Sequence, residues 1–271
     1  MIEGEINVHC EMIIFELIKQ GNRVNQFDDF DKNFELDDLI GHLLKTFFEA
    51  NVALNLYLEE KRNRLRYLQN ERENWDNDRE LKYQLRLKIE QEYLENEPFE
   101  NGDEINFKTE TEFKKHIWGE GRVPFDLKSR LIFIHARIFL FAFDNFEKQF
   151  KRLLDDELVP KSLGYLHVKL IENFPDLRQL RNSIHHQEDR IRGEKYGKKI
   201  DLKPMANEVF NVPGGALVNN CLDGDSYCGT LGDGTFGKVD VSVESMNILQ
   251  SILQEFLDSL NWEGFKEHLP K

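Results

Sequence analysis

Apolar positions recur at helical spacing through much of this chain. Leu39, Leu43, Phe47, Leu54 and Leu58 repeat at three-to-four-residue and sevenfold intervals, which predicts helix across residues 1–95. From Glu59 to Glu97 charge is dense and mixed, and Leu65, Leu68, Leu81, Leu85 and Ile89 leave only a thin apolar stripe. That pattern predicts a solvated helix or a helical hairpin, with Asn74-Trp75-Asp76-Asn77-Asp78 as its turn. The heptads are too irregular to favour a coiled coil. Residues 96–125 hold Pro98, Gly102, Gly119, Gly121 and Pro124 among polar side chains and read as a linker.

Asp126 suits an N-cap, and Leu127 to Leu154 reads as one helix. It is apolar nearly all round between Leu131 and Phe143, as the central helix of a bundle is. Pro160 and Gly164 stop it. A short helix follows from Leu166 to Phe174, ended by Pro175. Asp176 then caps a helix over Leu177–Ile191, ended by Gly193. Met205 to Val243 turns glycine-rich, and Asp223-Gly224 and Asp233-Gly234 are hairpin signals, so about three antiparallel strands are expected. Ser242 opens a last helix with Leu249, Ile252, Phe256 and Leu260 on one face. The expected fold is mainly α. An N-terminal helical region (1–95) and a linker (96–125) precede a helical bundle (126–262) with a β-hairpin insert at about 205–243, and a C-terminal tail (263–271) follows.

Composition adds an aromatic core, since 21 of the 271 residues are phenylalanine. The net charge of -14 does not suit a protein that coats long nucleic acid through phosphates, but it permits a small basic site. Residues 178–203 hold eight basic and four acidic side chains, a local +4 that leaves -18 elsewhere. Cys10, Cys221 and Cys228 have no metal-ligand spacing and fit free thiols. The start Met-Ile-Glu-Gly-Glu lacks a basic leader, and the longest apolar stretch is about 13 residues where a membrane span needs about 20. A cytoplasmic protein without membrane attachment is expected.

The basic window contains Arg181-Asn182-Ser183-Ile184-His185-His186. RNA can be cut without metal when its own 2′-hydroxyl attacks the adjacent phosphorus. Histidine suits the two proton transfers, and an arginine fork suits the crowded phosphate. On a straight helix Leu177, Leu180, Ile184 and Ile191 share a core-facing sector. Arg181, His185 and His186 lie about 70°, 110° and 150° from its centre. Arg178, Asn182 and Asp189 also point away from the core.

This Arg-x4-His spacing, with a polar second residue, resembles the signature of the HEPN family of helical-bundle ribonucleases. The resemblance covers roughly residues 126–262. It implies a bundle of about four helices and metal-independent endoribonuclease activity yielding 2′,3′-cyclic phosphate and 5′-hydroxyl ends. It also implies Arg181 and His186 as catalytic residues, with Asn182 supporting. His185 is the other candidate histidine, closer to Arg181 on a straight helix. Arg178, Arg190, Arg192 and Lys195 are the candidate RNA contacts. No cofactor and no metal are expected. The implied partners are RNA, a second copy sharing a composite cleft, and an antitoxin or other regulatory protein, in bacterial defence or a toxin–antitoxin system. The rival expectation is a non-catalytic helical interaction module that binds a partner protein or a nucleotide.

Sharper-looking motifs carry less. Gly232, Gly234 and Gly237 match a kinase glycine loop, yet only 32 residues follow Val239, and no His-Arg-Asp or Asp-Phe-Gly occurs. The near P-loop has Val239 where magnesium needs Ser or Thr. A tight hairpin explains these glycines. His185 and Asp189 are one turn apart, but no second cluster completes a metal site. His9, His42, His116, His135 and His167 are scattered and read as packing or surface residues.

Overall fold

Two short strands, β1 (Leu17–Lys19) and β2 (Arg23–Val24), precede the first helix in the structure, a computed structural model that describes residues 12–96, 102–206 and 211–271. The helices α1 (Phe30–Asn96), α2 (Gly102–Gly119) and α3 (Phe125–Asp155) follow. A 3-10 turn (Lys161–Gly164) leads into α4 (Tyr165–Asn173), α5 (Leu177–His185) and α6 (Gln187–Ile191). Then come β3 (Glu194–Lys195), β4 (Lys198–Lys199), β5 (Met205–Ala206), β6 (Asn211–Val212), β7 (Cys221–Asp223), β8 (Ser226–Thr230) and β9 (Phe236–Asp240). Helix α7 (Val243–Asp258) and strands β10 (Trp262–Glu263) and β11 (Glu267–Leu269) close the chain. The protein is mainly helical with a few small antiparallel sheets. No helix among the described residues is long and apolar enough to cross a membrane. The N-terminal start, His9, Cys10, Pro98 and the side chains of Leu65 and Leu68 lie outside the described residues.

The chain divides into two compact units, Met1–Glu59 with Phe133–Lys271, and Glu60–Ile132. In the first, α1 buries Leu36, Ile40, Leu43, Phe47, Ala50, Leu54 and Tyr57, an unbroken alternation of four- and three-residue steps. A phenylalanine chain carries the core onward. Phe47 lies 6.4 Å from Phe146, Phe146 lies 5.5 Å from Phe150, and Phe150 meets Phe256 of α7 edge-on at 5.6 Å. Rings of this kind bury about 150–250 Å² each and dominate a core's energetics. As expected, Ser242 caps α7, accepting from the Ser245 N–H at 3.2 Å.

The expected tail 263–271 is not a tail. Trp262–Glu263 pairs with β2, and Glu267–Leu269 pairs with β1, so the ends of the described chain zip together. Nor is the described stretch before α1, residues 12–29, helical. Asn51 and Asn55 hold Ile13 by its backbone, and the Gln254 side-chain amide bonds both the N–H and the C=O of Ile18 at 2.8 Å. Strands of two or three residues paired across the whole sequence leave no local periodicity to read.

In the second unit α1 runs unbroken through Asn74–Asp78, where the sequence predicts a turn. The reason is α2, which fills the expected linker and lies antiparallel to α1. Arg122, just beyond α2, grips Asp78 bidentately at 2.7 and 2.8 Å, Lys82 pairs with Glu110, and Arg86 bonds Asn106 at 2.8 Å. Gly102 and Gly119 bound this helix rather than loosen it, and Gly121 takes the left-handed conformation (φ 87°) that ends it. Helix α3 starts at Phe125, directly after Pro124, so Asp126 lies inside its first turn instead of capping it.

An uninterrupted α1 makes proline costly where a turn would accept it. Asn77→Pro should cost about 3 kcal/mol and lower the helical circular dichroism signal; an unchanged signal and melting point would restore the hairpin turn.

Candidate active site

Helix α5 is held from two sides. Its Leu177, Leu180 and Ser183 are buried. Toward the sheet β7–β8–β9, Gly229 on β8 is so close that an added Cβ would stand 3.5 Å from Leu180 Cδ1. Asp176 occupies the N-cap position, but its carboxylate accepts from the Lys238 N–H of β9 at 3.0 Å and makes no cap bond. The expected three-stranded hairpin sheet is present, and its role is to back the motif helix.

On the other side Arg181 meets α3. Its Nε donates to Asp144 Oδ2 at 2.7 Å, and Lys148 Nζ donates to the same oxygen at 2.5 Å. The Asp144 side chain is 1% exposed and that of Arg181 is 16% exposed. The guanidinium therefore does not stand free on an outward face, and it does not pair with Glu188 or Asp189. Only Nε is engaged, and the terminal amino groups have no acceptor among the described residues. Asp144 Oδ1 is buried without a hydrogen-bond partner. Burial pushes the Asp144 carboxyl up from its usual range, and the charges of Arg181 and Arg178 partly oppose that rise.

The single motif helix expected over Leu177–Ile191 breaks at His186, whose φ and ψ are -105° and 45°. Helix α5 ends at His185, and α6 leaves in a new direction, so wheel positions after His185 do not carry over. Ile191, expected in the core, is 64% exposed. Arg190, expected on RNA, is 3% exposed; it donates to Ser183 Oγ at 3.3 Å and to the Glu194 carbonyl at 2.6 Å. The hairpin tip closes over it, since a Cβ on Gly232 would come within 3.1 Å of its Nη2. Arg190 is thus a brace between α5, β3 and the hairpin.

Both histidines end α5, with ring centroids 5.1 Å apart. His185 is exposed, one turn beyond Arg181 on the same helix. His186 is half-exposed; its Nδ1 stands 3.7 Å from Glu188 Oε1. The Asn182 carbonyl accepts the His186 N–H at 3.0 Å, while Asn182 itself is partly exposed beside Arg181. Arg178, Arg192 and Lys195 are exposed. Sequence reasoning missed Tyr196, which sits at the β3–β4 turn with a positive φ, 6.4 Å from the His186 ring. It also missed Asp144. The available signal was a polar stripe, Asp144, Glu147, Lys148 and Lys151, on a helix otherwise built for the core.

Among the described residues no cluster of three or more His, Cys, Asp or Glu is grouped as a metal site. Compared with known proteins, the chain matches no family model, no curated protein and no solved structure.

The Asp144–Arg181 contact sets a pH prediction. The folded state holds the Asp144 proton more tightly than the unfolded chain, so this group lowers stability as pH rises from the ordinary aspartate range through the raised native value. Asp144→Asn should erase that part of a stability–pH profile. Asp144→Ala should cost about 1–3 kcal/mol at neutral pH by stranding Arg181. A profile identical to wild type in Asp144→Asn would contradict the assignment.

Proposed function

We propose that this chain is a metal-independent endoribonuclease with a HEPN-like bundle. The observation that carries the reading is the pinned guanidinium. A carboxylate deep in the core holds Arg181 by Nε, and its terminal amino groups have no acceptor among the described residues, on a helix that ends in two adjacent imidazoles. Burying a charge to aim another is costly, and such arrangements cluster at functional sites.

In this reading the fork of Arg181 receives two phosphate oxygens and stabilises the phosphorane. One imidazole accepts the proton of the 2′-hydroxyl as the O2′–P bond forms. A second imidazole, His186 or His185 or the same residue of a partner copy, protonates O5′ as the P–O5′ bond breaks. The products are a 2′,3′-cyclic phosphate and a 5′-hydroxyl. Asn182 orients the phosphate or the ring, Tyr196 offers a face for base stacking, and Arg178, Arg192 and Lys195 draw RNA in. Cytoplasmic action in bacterial defence, or under an antitoxin, belongs to the same reading.

An exposed apolar groove supports a protein partner for this chain. An apolar groove of about 830 Å³ runs between α1 and α3, with Phe48, Val52 and Leu56 facing Ile138 and Phe141. Val52 and Ile138 are exposed. A second copy seated there is the homodimer of the ribonuclease reading; a different protein seated there is the interaction-module reading.

Arg181→Ala and His186→Ala should each lower the rate on single-stranded RNA by about 10²–10³-fold, with chelator making no difference. Equal cleavage by wild type and both variants would end the catalytic reading, and loss of activity on chelation alone would replace it with metal-dependent hydrolysis. Ile138→Asp should convert a dimer to a monomer in a light-scattering measurement; a wild type that is monomeric at every concentration would remove the composite cleft.

A further inference from the structure

Beside the Arg181 site lies a second concavity, a groove of about 640 Å³ walled by α3, α4 and the start of α5. Its lining includes two cations, Lys151 of α3 and Arg178 of α5. The same lining holds a His–carboxylate pair. His167 Nε2 lies 2.6 Å from Glu147 Oε1, and the Glu147 side chain is 8% exposed. Its other oxygen, Oε2, is buried with no partner among the described residues. Nothing in the ribonuclease chemistry uses this pair.

The carboxylate dictates which way the imidazole works. A carboxylate only accepts, so Nε2 must carry the hydrogen. In the neutral ring Nδ1 is then an acceptor, left for a partner in the groove. Ile171, Phe174 and Pro175 add an apolar wall. The groove therefore offers cations for an anion, an apolar wall, and an imidazole acceptor for a hydrogen-bond donor.

We propose that this groove is a nucleotide subsite, taking the phosphate on Arg178 and Lys151 and a base with an exocyclic amine against His167. Its volume fits a small ligand. An exocyclic amine offers a donor to the imidazole acceptor, while uracil turns a carbonyl toward it. The subsite rests on the ribonuclease reading only for what the nucleotide belongs to, namely the residue flanking the cleaved bond. Arg178 is one helical turn before Arg181, about 4.5 Å along the axis, so a strand bound at Arg181 continues toward the groove.

Mononucleotides test it without any cleavage. By calorimetry, adenosine 5′-monophosphate should bind about fivefold or more tightly than uridine 5′-monophosphate, and both more tightly than inorganic phosphate. Arg178→Gln, an exposed change, should weaken all three about equally. Glu147→Gln frees the ring to take either tautomer, so it should bring the two nucleotides to parity with an unchanged melting point. In the RNA assay Arg178→Gln should raise KM and spare kcat. Inorganic phosphate binding as well as the nucleotides, no effect of Arg178→Gln, or adenine preference surviving Glu147→Gln in a folded protein would each overturn the subsite. Cleavage of RNA without nucleotide binding would overturn the groove and leave the ribonuclease reading intact. Binding with the expected discrimination in a protein that leaves RNA whole would uphold the groove and end that reading.

Discussion

A carboxylate at the centre of an aromatic helix constrains everything around it. Asp144 follows Phe143 and precedes Phe146, both fully buried. One of its oxygens is shared by Arg181 and Lys148, and the other has no partner among the described residues. Burying a carboxylate is costly unless it is paired, so the position of α5 relative to α3 answers the need to bring a guanidinium within hydrogen-bond reach. The phenylalanine packing of α1, α3 and α7 makes the constraint rigid in turn. Core interiors resist displacement, and a shift of α3 would break ring contacts as well as the ion pair. The candidate site is thus part of the core's own charge balance, which is why Arg181 has one orientation instead of a solvated range.

Much of the bundle was legible because its periodicity is local. Leu127–Leu154 became α3, Leu166–Phe174 became α4, and Ser242 capped α7. The Asp-Gly signals found the hairpins, because a two-residue turn needs a left-handed residue that glycine supplies, as at Gly224 (φ 60°). What failed was non-local. Nothing near Asn74–Asp78 announces that Arg122 will hold Asp78 in a continuing helix, and nothing in Leu17–Lys19 names Glu267–Leu269 as its partner. The glycines of residues 102–121 were correctly seen as punctuation but assigned to a linker, when they mark the ends of a helix.

The site shows the same division. Arg181, His185 and His186 stood out by residue type and spacing. Asp144 did not, because an aspartate after an apolar run reads as the return to solvent; only the energetics of three dimensions make it the residue that aims Arg181. Arg190 was misplaced for a related reason. A helical wheel extrapolated through His186 points it outward, but the break turns α6 so that the guanidinium lies under Gly232 and satisfies the Glu194 carbonyl. The basic window still carries its surplus charge, yet one of its arginines is spent on architecture.

The chain's overall charge bears on the kind of ligand these features suit. At -14 the molecule repels a polyanion at long range. At physiological salt that repulsion fades beyond about 8 Å, so a short cationic track can still win locally. Such a track exists along α5. Arg178, Arg181 and His185 follow one another at three and four residues, about 4.5 and 6 Å along a single rigid helix. Because α5 is clamped by the sheet on one side and by Asp144 on the other, those intervals cannot adjust to the ligand. A fixed spacing of cation, cation and imidazole favours a short flexible strand that can conform to it, and works against a stiff duplex whose phosphates are already fixed. On the proposed ribonuclease reading, acidic surroundings and a rigid basic track together favour brief engagement with single-stranded segments.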